Sequence, residues 1–171
     1  MSDFWPAKQI LPRIWIGSKQ DAHNRRFLDA NGITTIVNCT RDVPFTSFAQ
    51  SAPLTPLAPL GPFLGPFPRT LYRIPVDDHP DENWTMASHL PRVVAKIRQA
   101  QRRGQGVLVH CYAGISRSAT VVAAVVMREF NVDPDVAIAV VRTFKRETFT
   151  PAVNFRPALD HFFSTLHTNR K

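Results

Sequence analysis

Two side chains suited to phosphate chemistry stand near the middle of the chain, with Cys111 and Arg117 separated by five residues. A cysteine thiolate is a strong nucleophile, and a guanidinium presents a planar set of donors that matches the oxygens of a phosphate group. His110 precedes the cysteine and Ser118 follows the arginine. This pattern predicts attack on phosphorus by the thiolate of Cys111, with Arg117 binding the anion.

The residues around this pair predict a strand, a tight loop and a helix. The run 107–109 is apolar, and 119–127 is apolar except for one threonine. The loop would then lead into a helix N-terminus, where backbone N–H groups and the helix dipole stabilise an anion and favour a thiolate. Together with Arg117, the expected phosphate-binding residues are Tyr112, Ala113, Gly114, Ile115 and Ser116.

A site of this kind divides the reaction into two steps, because Cys111 first forms a phosphocysteine that water then hydrolyses. The leaving oxygen needs a proton, so a carboxylic acid is expected on a neighbouring loop. We expect Ser118 to hydrogen-bond the cysteine sulfur, and His110 to order the loop. No metal or cofactor is required. The candidate acids are Asp77, Asp78, Asp81 and Glu82.

The rest of the chain predicts an α/β fold, in which a mostly parallel twisted sheet of about five strands is flanked by helices. Beside 107–109, the predicted strands are 10–17, 33–38 and 71–76. The predicted helices are 18–30 with Ser18 as N-cap, one from Thr85 or Ser88 to Arg103, 133–146 with Asp133 as N-cap, and 154–167. Pro91 favours the later start of the second helix, since proline is tolerated in a first turn.

The segment Val43–Pro68 interrupts this pattern, because it has no charged residue and seven prolines. It suits neither a helix nor an inner strand. We interpret it as an extended, proline-rich insertion in a single catalytic domain that spans residues 1–171. Two roles stay open: a surface loop packed on the domain, or a motif for a partner with an aromatic-lined groove.

Composition indicates one globular domain, since 171 residues suffice for a single core. The net charge of +8 suits phosphorylated or acidic partners, but the charges are scattered, and we do not expect a nucleic acid as ligand. Two cysteines are too few for a disulfide framework, and a free thiolate requires a reducing compartment. With no secretory signal and no long apolar run, we expect a cytoplasmic or nuclear protein without a membrane span.

Residues 110–120 resemble the signature of the dual-specificity phosphatases, within the cysteine-based protein tyrosine phosphatase superfamily. Residues 14–17, 32–38 and 74–78 resemble the family's first strand, second strand and acid loop. The resemblance implies the phosphatase fold and hydrolysis of phosphotyrosine and phosphoserine or phosphothreonine in proteins. The family's acid is the last aspartate of its run, which favours Asp78, 33 residues before Cys111, and leaves Asp77 as the alternative.

The long insertion departs from a minimal family member. A start almost at the first strand leads us to expect a small atypical member without a kinase-docking domain. One alternative keeps the chemistry but acts on inositol lipid or RNA 5′ phosphate, although the loop lacks the basic residues typical of lipid-directed members. Another is a non-catalytic phosphate-binding module that recruits partners through Val43–Pro68.

Cys39 ends the second predicted strand. Some superfamily members carry a cysteine there that forms a reversible disulfide with the nucleophile, and the resemblance extends this role to Cys39. The alternative is a small buried core residue.

Overall fold

The computed structural model describes residues 6–46 and 69–168, and within them five strands form one sheet. Its order is β1-β2-β5-β3-β4, and all neighbours are parallel except β1 and β2. The prediction of a mostly parallel sheet of about five strands is therefore confirmed. The strands are β1 (Lys8–Leu11), β2 (Ile14–Gly17), β3 (Ile33–Asn38), β4 (Thr70–Arg73) and β5 (Gly106–His110).

Helices cover both faces of the sheet, because alternate residues of a buried strand point to opposite faces. Leu108 packs with Leu28 on the face covered by the two short helices, whereas Val107 and Val109 join the larger core formed with the long helices. The helices are α1 (Lys19–Ala22), α2 (Arg25–Ala30), α3 (Asn83–Arg102), α4 (Arg117–Phe130), α5 (Pro134–Phe144) and α6 (Arg156–Thr168).

The parallel register brings three strand ends to one edge of the sheet. His110 at the end of β5 is paired with Gly17 of β2 on one side and with Asn38 of β3 on the other. The residues that follow these strands therefore meet, and Cys39 donates its backbone N–H to the His110 carbonyl at 2.8 Å. The candidate site lies at this edge.

Two predictions at the beginning of the chain are wrong in detail. The segment 10–17 is not one strand, because Arg13, with φ of +65°, turns the chain between β1 and β2. The helix 18–30 is divided in two, since Asn24 accepts a hydrogen bond from the Phe27 N–H and begins a second helix. The Ser18 cap is confirmed, with its hydroxyl facing the Asp21 N–H in a capping box.

Later boundaries also differ. The strand predicted to Val76 ends at Arg73, and α3 starts at Asn83, before both predicted starts. Pro91 lies inside α3 instead of in its first turn. Because α3 buries apolar residues on both sides of the proline, tertiary packing offsets the lost backbone hydrogen bond. The last two helices agree with prediction within two residues at each end.

The predicted insertion lies largely outside the described residues, which include only its first four positions, 43–46. Val43 is buried, and its carbonyl accepts hydrogen bonds from Asn38 Nδ2 at 2.8 Å and Arg73 Nη2 at 3.0 Å. Of the helices that the structure describes, none is long and apolar enough to cross a bilayer.

Candidate active site

The segment from Cys111 to Ser116 forms a loop between the end of β5 and the first turn of α4. Gly114, with φ of +76°, is required at its bend, because a Cβ there would lie 2.6 Å from the Gly17 carbonyl oxygen. The loop therefore packs directly against the end of β2, as the register of the sheet requires.

Contacts from outside the loop fix the direction of its peptide groups. The Tyr112 carbonyl accepts the Lys19 N–H at 3.1 Å, and the Ile115 carbonyl accepts the Phe149 N–H at 2.7 Å. In a planar trans peptide the N–H points opposite to the C=O. The N–H groups of Ala113 and Ser116 therefore point toward the inside of the loop, as an anion-binding loop requires.

Cys111 is buried, and two polar groups lie 3.3 Å from its sulfur. One is the Gly114 N–H, which donates to the sulfur, and the other is the Ser118 hydroxyl at the start of α4. The sulfur thus lies at a helix N-terminus among donors that stabilise negative charge.

His110 is almost completely buried, with Nδ1 3.3 Å from the Cys111 carbonyl oxygen. Since that oxygen can only accept, the proton is assigned to Nδ1. Burial lowers the pKa of His110 to about 4, and the hydrogen bond to Cys111 opposes this shift. At neutral pH the imidazole is therefore uncharged, so it orders the loop by hydrogen bonding and packing and adds no positive charge.

Arg117 and Asp78 meet beside the loop. Arg117 Nη1 donates to the Val76 carbonyl at 3.1 Å, and Nε lies 3.9 Å from Asp78 Oδ2, beyond hydrogen-bonding distance. This buried Nε–H has no hydrogen-bond partner among the described residues. Asp78 Oδ1 accepts from the Ser116 hydroxyl at 2.7 Å.

Asp77 points away from this cluster. Its carboxylate is 62% exposed and lies 3.0 Å from Arg41 Nε, and Arg41 also pairs with Glu82. Hydrogen bonding to Thr85, and then to Arg41, lowers the pKa of Glu82. The fourth candidate acid, Asp81, has a carboxyl group that is 90% exposed and faces His79. Of the four candidates, Asp78 alone forms a hydrogen bond with the loop in the part of the chain that the structure describes.

The family model for the dual specificity phosphatase catalytic domain matches residues 14–165, which include every part of this site. The chain belongs to the dual-specificity phosphatase family. It is 34% identical to human dual specificity protein phosphatase 7 and 32% identical to human dual specificity protein phosphatase 6, with 92% of the chain aligned in both cases. It spans only about a third of the length of these curated relatives.

Solved structures of dual-specificity phosphatases are similar over nearly the whole chain. A mouse putative dual specificity phosphatase complexed with zinc tungstate has 28% identity and a TM-score of 0.77, covering 99% of this chain and 93% of that one. Human DUSP28 has 26% identity and a TM-score of 0.75, covering 95% of each chain. These similarities confirm the predicted phosphatase fold.

The phosphatase loop thus brings together most of the residues expected from the sequence: Cys111, Ser118, Arg117 and the segment 112–116, with Asp78 beside them. Tyr112 is half-exposed, and its ring lies 3.7 Å from Lys19 Nζ at the rim of the loop. Within the described ranges, no group of three histidine, cysteine or acidic residues could hold a metal ion.

Sequence reasoning missed two asparagines next to the acid loop of this phosphatase domain. Asn154 Nδ2 donates to Asp78 Oδ1 at 3.1 Å. Asn83 Nδ2 donates to the carbonyls of Pro80 and Asn154, and Asn83 Oδ1 accepts the Ala158 N–H. These bonds connect the acid loop to the start of α6. No local signal marks Asn154, which is 76 residues from its partner.

Cys39 lies next to Cys111, just beyond the ends of two neighbouring parallel strands. Cys39 directly follows Asn38, which pairs with His110, so Cys39 stands opposite Cys111. Neighbouring strands are separated by about 4.8 Å, which is within the Cα–Cα range of disulfides. Both cysteines are buried and free. Burial, reinforced by the charge of Cys111, raises the pKa of the Cys39 thiol, which therefore remains protonated at neutral pH.

Proposed function

We propose that this chain hydrolyses phosphotyrosine and phosphoserine or phosphothreonine in proteins, through a phosphocysteine intermediate. The observation that carries the proposal is the convergence of Cys111, Arg117 and Asp78 around one anion-binding loop at the N-terminus of α4. Membership of the dual-specificity phosphatase family supports a phosphoprotein as substrate.

Binding places the phosphate against the loop N–H groups and the Arg117 guanidinium. Nη1 is already bonded to the Val76 carbonyl, which fixes the orientation of the guanidinium. Nε–H is a buried donor without a hydrogen-bond partner in the described part of the chain, and such a donor costs about 1–3 kcal/mol. A phosphate oxygen would accept a hydrogen bond from this Nε–H. The interaction of Arg117 with the phosphoryl group would become stronger as charge develops on the equatorial oxygens.

In the first step, the Cys111 thiolate attacks phosphorus and the bond from phosphorus to the substrate oxygen breaks. Asp78 gives its proton to that oxygen as it leaves, since it lies beside both Ser116 and Arg117. Asp77 holds the acid loop through Arg41 and does not take part in proton transfer.

In the second step, water attacks the phosphocysteine and the sulfur–phosphorus bond breaks. The Asp78 carboxylate accepts a proton from the attacking water, which regenerates the acid. Cys111 leaves as a thiolate, and the Ser118 hydroxyl, 3.3 Å from the sulfur, donates a hydrogen bond to the developing charge. This bond makes the sulfur a better leaving group.

A thiolate mechanism requires a reducing environment, which supports a cytoplasmic or nuclear location. A partner at the proline-rich segment Val43–Pro68 stays a prediction, since most of that segment lies outside the described residues.

Turnover of para-nitrophenyl phosphate by the purified chain tests the proposal. Cys111→Ser should abolish turnover, and Arg117→Lys should lower it strongly, because an ammonium cannot reproduce the guanidinium geometry. A panel of phosphopeptides, inositol phosphates and triphosphorylated RNA then defines the substrate class. Turnover that survives Cys111→Ser, or a clear preference for RNA or inositol phosphates, would contradict the proposal.

A further inference from the structure

A groove of about 700 Å³ lies between α3, the end of α4 and α6. Arg98 and Arg102 of α3 and Arg128 of α4 line it. Between Arg117 and Arg128, α4 rises by about 16 Å at 1.5 Å per residue. The groove is therefore at the opposite end of α4 from the phosphate loop and is separate from the active site.

The groove is strongly cationic. Arg98 Nε pairs with Glu129 at 2.7 Å, but Arg102 and Arg128 are exposed and have no hydrogen bond or ion pair with other described residues. None of the lining residues that the structure describes is acidic. The C-termini of α3 and α4 each contribute only about half a negative charge, which is too little to neutralise two unpaired guanidinium groups.

The floor of the groove is apolar. Val94 and Phe162 are buried beneath it, and Leu166 is half-buried along α6. Ala95, an exposed small residue of α3, leaves the floor accessible from solvent. An apolar floor below arginine side chains favours a ligand that carries apolar and anionic groups next to each other, and the volume is within the range of ligand-binding clefts.

We propose that this groove binds a short acidic peptide segment of a partner protein. An apolar side chain of the peptide packs on Phe162 and Leu166, and its carboxylate or phosphate groups pair with Arg102 and Arg128. A recessed floor suits a peptide better than a membrane surface. Recognition of anionic lipid surfaces also commonly uses clusters of about four to eight basic residues, whereas the described lining of this groove has three arginines, one of them already paired.

Fluorescence anisotropy tests the proposal with the full chain and a labelled peptide in which glutamate alternates with leucine and phenylalanine. A glutamine version of the peptide and phosphatidylserine vesicles serve as comparison ligands. The variant Arg102→Gln/Arg128→Gln removes the two groove charges that have no ion pair among the described residues. The matched control, Arg103→Gln/Arg146→Gln, removes two exposed charges outside the groove. Ala95→Glu adds a carboxylate at the rim.

We expect saturable binding of the acidic peptide that weakens with added salt. The groove double variant and Ala95→Glu should each weaken it at least about tenfold, corresponding to about 1.4 kcal/mol, whereas the control should change it less than about twofold. Absent or non-saturable peptide binding, equal binding of the glutamine peptide, or equal losses in the control would overturn the proposal. So would a groove variant that loses vesicle binding but retains the peptide.

Turnover of para-nitrophenyl phosphate should be unchanged in both double variants, because the groove is remote from the phosphate loop. The binding experiment does not depend on catalysis, so failure of the proposed function and failure of this inference give different results.

Discussion

Replacing each aspartate of the acid loop separately, as Asp78→Asn and Asp77→Asn, distinguishes a proton donor from a loop anchor. Asparagine keeps the size of both side chains. At position 78 its amide oxygen can still accept from the Ser116 hydroxyl, so the change mainly removes the transferable proton. At position 77 it removes the ion pair with Arg41.

The two changes should differ greatly in magnitude. Loss of a general acid lowers the rate by about 10²- to 10⁴-fold when the leaving group is poor. The Asp77–Arg41 pair is largely exposed, and such pairs contribute about 0.2–1 kcal/mol. Even if the whole of this free energy were lost from the transition state, the rate would fall by at most about fivefold. Glu82 still holds Arg41 when Asp77 is replaced.

The assay is kcat for a phosphotyrosine peptide and for para-nitrophenyl phosphate, measured for both variants and the unmodified chain. Nitrophenolate leaves more easily than the tyrosine oxygen and needs less protonation. Asp78→Asn should therefore slow the peptide reaction far more than the nitrophenyl reaction, and Asp77→Asn should slow both only slightly. A larger loss from Asp77→Asn, or equal loss on both substrates from Asp78→Asn, would refute the assignment.

Three further predictions concern residues around the acid and the nucleophile. Asn154→Ala removes one hydrogen bond to Asp78, which is worth about 0.5–1.5 kcal/mol, so turnover of the phosphotyrosine peptide should fall about 2- to 12-fold. The same change in the Asp78→Asn variant should cause no further loss. The pKa of His110 is about 4 in the folded chain and 6.5 in the unfolded chain, so only the unfolded chain binds a proton between these values. The free energy of unfolding is therefore highest above pH 6.5 and falls by about 3 kcal/mol as the pH drops to about 4. Urea unfolding across this range should show a smaller loss of stability in His110→Gln, and an equal loss would contradict a buried neutral imidazole. Mild peroxide should convert the Cys111 thiolate to a sulfenic acid that condenses with the Cys39 thiol, releasing water. Thiol mapping should find this disulfide, and inactivation without it would contradict a redox role for Cys39.

The fold was predictable where local signals and tertiary packing agree. Asp133 before Pro134 gives a helix start that the structure reproduces, with the Val136 N–H bonded to Asp133. Prediction was wrong at Arg13 and Pro91, for opposite reasons. A turn with positive φ at an arginine has no strong sequence signal, whereas the packing of α3 outweighs the usual effect of an internal proline.

The sequence by itself predicted Cys111, the loop 112–116 and Arg117 as parts of one site, because all of them lie within one strand–loop–helix segment whose order dictates its geometry. The resemblance favoured Asp78 over Asp77, and only the tertiary structure supplies a physical difference between them. These neighbours have the same side chain, and what distinguishes them is contact with residues distant in the sequence, Ser116 and Asn154 for one and Arg41 for the other. Such contacts depend on how the acid loop, α6 and β3 come together at the edge of the sheet, which no local pattern encodes.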